Sequence, residues 1–326
     1  MTTSKPAFVF LVEDGFAMLP FTSAIEVLRL ANKLTHSTQY SYWVSTLGDV
    51  RVTASNGVGI DPSRQIAELG REDRIVVVSG DGVCQARNAG HSSFLHKAAR
   101  FGHEIWGLSS GVVRLAQAGL LSGRSVSAHW EDIPYLEQNF PSITVTSSLF
   151  TFSQKIATCA GGLSAADLML SHLRMSGPAT LADEISARLI LDGTRAGRVV
   201  QKLPTRLRYR SSSPKVQLAL ELMDGFMDDP LPISEIAAKV AVSQRQLERL
   251  FMTELGKTPK QLYLELRLET ARYDVLVSTR PITSIGLDYG FNPNSFARNY
   301  VKMFGITPKA DRAGAKGQAP QKAGES

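Results

Sequence analysis

Pro232-Ile233-Ser234-Glu235-Ile236-Ala237 returns 49 residues later as Pro281-Ile282-Thr283-Ser284-Ile285-Gly286. The correspondence runs on without a slip. Val240 matches Tyr289, Ser243 matches Asn292, Leu247 matches Phe296, Arg249 matches Arg298 and Phe251 matches Tyr300. Gly256-Lys257-Thr258-Pro259 closes the first copy as Gly305-Ile306-Thr307-Pro308 closes the second. A period this regular means one supersecondary unit used twice. In each copy a proline suits the first helical turn, where a missing N–H costs nothing. Ile233, Ile236 and Val240 make an i, i+3, i+7 apolar stripe. Ala237 and Gly286 are small, as a close helix crossing requires. Three residues after Val240 and Tyr289, Ser243 and Asn292 are cap residues, and Pro293 takes the first position of the helix that follows. Each copy is therefore expected to be a helix-turn-helix.

The second helix of each motif is expected to bury Leu247, Leu250 and Phe251, or Phe296 and Tyr300, and to leave a polar face. That face carries Gln244, Arg245, Gln246, Glu248 and Arg249 in the first motif, and Asn294, Ser295, Arg298 and Asn299 in the second. Arg can bind guanine, and Asn or Gln adenine, through paired bonds in the major groove. Gln244, Arg245, Gln246, Arg249, Asn294, Ser295 and Arg298 are the expected DNA-binding residues. A solvated polar face would look similar in one motif; two motifs in register beside basic sequence argue for DNA. Pro259 to Val277 reads as a single helix, which at 1.5 Å per residue spans about 28 Å. Such a strut suits two recognition helices on groove turns about 34 Å apart. Arg267 and Arg272 on it are read as solvent-facing or backbone-pairing.

Residues 214–312 resemble the C-terminal domain of AraC/XylS-type regulators, through LPISEIAAKVAVSQRQLERLFMTELGKTP and PITSIGLDYGFNPNSFARNYVKMFGITP. The second motif departs from the family pattern in one place: Gly290-Phe291-Asn292-Pro293-Asn294-Ser295-Phe296 is one residue short before the helix aromatic.

Charge is unevenly placed. The chain has 326 residues and a net charge of +6, but residues 1–192 carry −2. Residues 193–213 carry six basic and no acidic residues (Arg195, Arg198, Lys202, Arg206, Arg208, Arg210), and residues 214–326 carry +2. The positive excess lies where a polyanion would be met. No apolar run approaches the ~18 residues of a membrane helix, no secretory leader is evident, and a cytoplasmic location with no membrane is expected. Cys84 and Cys159 have no metal-site spacing, nor have His36, His91, His96 and His103, so no metal or cofactor is expected.

Before residue 175 short apolar runs alternate with amphipathic stretches. Ala7–Val12, Tyr42–Leu47, Ile75–Val78, Ile105–Leu108 and Lys155–Thr158 read as strands. Ser23–Leu34, Phe94–Phe101, Val112–Leu120, Trp130–Asn139 and Ser164–Leu173 read as helices. This is the signature of an α/β domain, a mostly parallel sheet with helices on both faces. The expected organisation is a sensing domain over 5–192, a basic linker over 193–213, an all-α domain with two helix-turn-helix motifs over 214–312 and a disordered tail over 313–326.

Gly107-Leu108-Ser109-Ser110-Gly111 fits the G-x-S-x-G nucleophile elbow between a strand and a helix. A hydrolase would need a base, His129 or His172, and an orienting acid, Asp132, Asp167 or Asp183. Asp167 and His172 point apart on one helix, so no catalytic residue is assigned. Residues 5–190 also resemble the class I glutamine amidotransferase-like (PfpI-like) domain that precedes AraC-type DNA-binding domains. The resemblance rests on FTSAIEVLRLAN, GLSSGVVRLAQAGLLSGRSVSAHWEDIPYLEQNFP and CAGGLSAADLMLSHL. It is similar in pattern to regulators of amino-acid and quaternary-amine catabolism, such as that of glycine betaine or carnitine. Catalytic relatives of that fold carry Cys at the elbow, whereas this chain has Ser109, and an unassisted serine hydroxyl does not attack at neutral pH. The reading is therefore a receptor rather than an enzyme, with a hydrolase fused to a DNA-binding module as the alternative. Ser109 and Ser110 are expected to meet a ligand carboxylate near a helix start. His129 and Trp130 are expected at the rim, with Trp130 facing a cation, and Glu26 is a pocket acid. The expected partners are promoter DNA, a small-molecule effector such as an amino acid or quaternary amine, RNA polymerase and a second copy in a homodimer. The regulator is expected to be an activator.

Overall fold

The computed structural model describes residues 6–317 apart from 202, 204 and 210. The chain divides into two compact units, Met1–Gln201 and Lys202–Ser326.

Unit 1 is built on strands that are apolar because both faces are covered. Its elements run β1 (Phe8–Val12), α1 (Met18–Leu34), β2 (Tyr42–Ser45), β3 (Val52–Thr53), β4 (Gly59–Ile60), β5 (Arg74–Ser79), α2 (Ala89–Arg100), β6 (Ile105–Ser109) and α3 (Gly111–Gln117). They continue β7 (Ser125–Ser127), α4 (Ile133–Asn139), β8 (Thr144–Thr146), β9 (Phe150–Ser153), β10 (Ile156–Cys159), α5 (Ser164–Ser176) and α6 (Ala179–Arg188). The main sheet has the order β2-β1-β5-β6-β10-β9. All neighbours are parallel except β9, which is antiparallel to β10. Alternate residues serve opposite faces. Leu11, Ile75, Val77 and Ile105 pack with Leu95, Val113 and Leu136 of α2, α3 and α4. On the other side Phe10 meets Phe21 of α1 edge-on at 5.7 Å, and α1, α5 and α6 pack together. The expected α/β class holds.

Some boundaries differ from expectation. The helix expected from Trp130 begins at Ile133, which leaves His129 and Trp130 in the loop after β7. Residues 193–201 are no free linker. Val199 is fully buried, the Leu149 N–H donates to the carbonyls of Gly197 (2.8 Å) and Val199 (2.9 Å), and Arg195 pairs with Asp167. Gly197 is required there, because a Cβ would stand 2.5 Å from the Phe150 carbonyl oxygen. This strap belongs to unit 1.

Unit 2 is helical: α7 (Thr205–Arg208), α8 (Pro214–Gly225), α9 (Ile233–Lys239), α10 (Gln244–Leu255), α11 (Pro259–Val277), α12 (Ile282–Asp288), α13 (Pro293–Phe304) and α14 (Pro308–Gly317). Each boundary of α9 and α10 recurs 49 residues later in α12 and α13, so the short turn of the second motif gives it the register of the first. Pro232 and Pro281 stand at the cap positions rather than inside the first turn. Two cores form. Val216, Leu220, Ile236, Leu247 and Phe251 close over the N-terminal half of α11 at Leu262 and Leu266. Ile285, Phe296 and Tyr300 close over its C-terminal half at Leu268, Ala271 and Val275. The strut thus carries one motif on each half. A Cβ on Gly286 would lie 2.9 Å from the Phe296 ring, which is why this crossing takes glycine. Helix α14 extends through Gly317, so residues 313–317 of the expected disordered tail are helical, and 318–326 lie outside the described residues. Lys202 and Arg210 of the expected linker also lie outside them.

Candidate DNA-reading surface and effector site

The recognition helices are fixed at their starts by their own side chains. The Ser243 hydroxyl accepts from the Gln246 N–H at 3.2 Å, and the Gln246 amide oxygen accepts from the Ser243 N–H at 2.9 Å. This reciprocal box satisfies two free helix donors. In the second motif the Asn292 Oδ1 accepts from the Ser295 N–H at 2.8 Å, and the Ser295 hydroxyl donates to the Asn292 carbonyl at 2.9 Å. Gln246 and Ser295, both expected at bases, are therefore engaged in the caps. Gln244 donates to Glu248 at 3.0 Å one turn along. Arg245, Arg249, Asn294 and Arg298 are exposed, and the three arginines have no carboxylate partner among the described residues. Arg245 and Arg249 share a helix face by their spacing of four.

Other arginines are occupied. Arg267 stacks on Phe291 (4.7 Å) and Tyr263 (5.3 Å) and donates to the Tyr289 carbonyl. Arg272 pairs with buried Asp311 at 2.8 Å and covers Phe304. Arg208, which the charge distribution suggested as a phosphate contact, is bound through both terminal nitrogens to Glu269 on α11.

In unit 1 Ser109 and Ser110 lie at the C-terminal end of β6, where open α/β sheets place their ligands, and the loop carrying His129, Trp130 and Asp132 reaches them, whereas Glu26 stays on α1. Ser109 ends β6 in a left-handed conformation (φ 54°), a costly backbone for a side chain with a Cβ. Gly161, after β10, packs on it so closely that a Cβ would lie 2.8 Å from the Ser109 Cβ. Ser109 and Ser110 are both about nine-tenths buried. Asp132, which sequence reasoning weighed only as a triad acid, is buried beside Ser110. Burial pushes its carboxyl up although hydrogen bonds from Ser110 and Cys84 pull it down, and Oδ2 has no hydrogen-bond partner among the described residues. His129 is about one-third exposed and stands 3.5 Å from Glu131. The Trp130 N–H donates to Gln201. Glu26 is held by Arg29 in an i, i+3 ion pair. Glu13, at the end of β1, binds Arg114 through both oxygens and accepts from Ser79. Burial raises the Glu13 carboxyl, but these bonds hold it below the ordinary value.

Of the groups weighed for a hydrolase, Asp132 and His129 lie at the elbow, whereas His172, Asp167 and Asp183 are engaged elsewhere. His172 lies between Phe8 (5.7 Å) and Trp106 (5.1 Å), at the opposite ends of the strands from Ser109. Burial there, with Arg74 alongside, pushes it down to about 4. Asp167 accepts from the Arg195 N–H (2.8 Å), Nε (2.9 Å) and Nη2 (2.6 Å), and Asp183 pairs with Arg174. Burial raises the Cys84 thiol to about 12 and that of Cys159 to about 11, so neither is a thiolate at neutral pH.

Residues 236–314 match the helix-turn-helix domain family. The HTH-type transcriptional regulator CdhR of Pseudomonas aeruginosa is 34% identical over 96% of this chain and 93% of its own. The structure of an AraC family transcriptional regulator from Pseudomonas putida, 26% identical, covers 56% of this chain and 99% of its own with a TM-score of 0.51. The chain belongs to the AraC/XylS family of transcriptional regulators. A ThiJ/PfpI family protein from Pseudomonas syringae (17% identical, TM-score 0.50, 80% of this chain and 91% of its own) shares the fold alone. This AraC-family regulator binds DNA through its helix-turn-helix domain, and its N-terminal region has the PfpI-like α/β architecture. Among its described residues no helix is long and apolar enough to cross a membrane.

Proposed function

We propose that this regulator binds a small metabolite at the rim of Ser109, Ser110, His129 and Trp130, and that occupancy sets how unit 2 engages promoter DNA. The observation that carries the reading is the strained Ser109 with the buried Asp132 carboxyl beside Ser110, while His172, Asp167 and Asp183 are engaged elsewhere. Strain of this kind persists where function holds it, and His129 stands against Glu131, with no hydrogen bond joining it to Ser109 among the described residues. Asp132 and the Trp130 indole both suit a cationic group, which favours an amino acid or quaternary amine as effector. The regulator acts as a homodimer in the cytoplasm, contacts RNA polymerase and activates transcription; family resemblance supports these points. Arg245, Arg249, Asn294 and Arg298 read the operator.

A thermal-shift screen against amino acids and methylated amines tests the effector. A bound compound at 100 times its Kd adds about 2.7 kcal/mol. The same preparation is assayed on generic amides and esters. Turnover abolished by Ser109→Ala in a folded protein would favour the hydrolase instead.

A further inference from the structure

Gln201 is the last residue of unit 1, and its side chain bonds three backbone groups on two segments of the chain. Its Nε2 donates to the carbonyls of Ala128 (2.7 Å) and Ser148 (3.3 Å), and its Oε1 accepts from the Trp130 N–H at 3.1 Å. Its own N–H donates to the Ser147 carbonyl at 2.8 Å. Ala128 and Trp130 flank His129, and the same loop continues to Asp132, whose N–H donates to the His129 carbonyl at 2.9 Å. Asp132 in turn lies against Ser110 and Cys84. A continuous series of bonds therefore leads from the elbow, through the loop 128–132, to the residue from which the chain enters the DNA-binding unit.

The strap holding Gln201 is clamped a second time at Arg195 by Asp167 of α5. Helix α5 follows the Gly161-Gly162 turn that packs on Ser109. Both clamps thus begin beside the elbow. A solvated linker would need neither a buried Val199 nor a glycine at 197 pressed against Phe150.

We propose that Gln201 is the coupling residue of this regulator: its bonds to Ala128, Trp130 and Ser148 tie the state of the effector rim to the state of the strap 195–201. The proposal rests on reading the elbow as the effector site. A change that moves the loop 128–132 breaks or re-forms the Gln201 bonds, so the docked and released straps differ in free energy with rim occupancy. That difference is what linkage between two sites requires. The alternative role is a structural tie that holds the strap down whatever the rim does.

A double-variant cycle in the full chain separates the two without any effector. Asp132→Asn perturbs the rim, and Gln201→Ala removes the coupler. Gln201→Glu keeps the acceptor but loses the donor, and serves if the alanine variant folds poorly. Amide exchange across 196–201 and affinity for an operator selected from random duplex DNA are both measured. Asp132→Asn alone should speed strap exchange and shift operator affinity, each by at least about fivefold. In the Gln201→Ala background the same change should leave both readings where Gln201→Ala put them. Equal effects of Asp132→Asn in the two backgrounds would overturn the proposal, as would an Asp132→Asn strap that exchanges like the wild type. The thermal-shift screen reports on the effector reading separately: glycine betaine, L-carnitine and L-arginine failing to stabilise unit 1 counts against that reading and leaves the cycle intact.

Discussion

Ala241 and Gly290 occupy the same place in the two helix-turn-helix motifs, and both are left-handed, at φ 55° and 69°. The turn demands that conformation. Glycine adopts it freely, whereas alanine bears the cost of its Cβ. Ala241→Gly should therefore stabilise unit 2 by about 0.5–1 kcal/mol, the strain relieved less the added unfolded-state freedom. Thermal melting of the 202–326 fragment beside the full chain checks it. A lowered melting temperature would show that the turn gains nothing from glycine.

His172 gives unit 1 a pH dependence with a defined sign. Its folded value of about 4 lies below the ordinary 6.5, because burial first, and Arg74 second, disfavour the imidazolium. The unfolded chain binds the proton more readily, so the contribution is complete above 6.5 and is lost as pH falls toward 4. Asp132 and Asp167, raised by burial, act in the opposite direction but are the same in both proteins compared. His172→Gln should flatten the loss of stability between these pH values. Parallel urea-midpoint profiles for the two proteins would contradict the assignment.

Arg208 is predicted to act through folding rather than through phosphate. Its pair with Glu269 ties α7 to α11, and a half-exposed pair of this kind is worth roughly 0.2–1 kcal/mol. Arg208→Ala should lower the melting temperature of unit 2 slightly and leave the salt dependence of DNA binding unchanged. A salt slope reduced by about one unit would instead mark a lost phosphate contact.

The parts legible in the sequence were those whose burial is uniform. Phe8–Val12 and Ile75–Val78 are covered on both faces and show as unbroken apolar runs. The repeat exposed α9 to α13 because packing at Leu247, Phe251, Phe296 and Tyr300 is periodic. Strands β7, β8 and β9 carry Ser and Thr at alternate positions; β7 and β8 form a separate two-stranded sheet and β9 is an edge of the main one, so hydropathy does not mark them. The strap was hidden by its charge. Arg195 looks like a linker residue until Asp167, 28 positions earlier, is found against it. Gln201 gave no local signal, and Asp132 stood out only as a possible triad acid, since their partners come from other parts of the chain. Gln246 and Ser295 sit on the expected face, but a cap competes for each side chain and spacing alone does not show which use wins.

Exposed arginines on the recognition helices are expected to read bases, and Arg249 is the sharpest case. Its side chain is exposed, shares a face with Arg245, and stands one turn beyond the Ser243–Gln246 cap. Binding of Arg249→Ala to the selected operator and to a scrambled duplex should be measured across a series of salt concentrations. A base-reading Arg249 gives a loss of about 1–3 kcal/mol on the operator, with base preference relaxed in one half of the site and little change on scrambled DNA. An equal loss on both duplexes, with a shallower salt slope, would show that Arg249 touches only phosphate and would contradict the account.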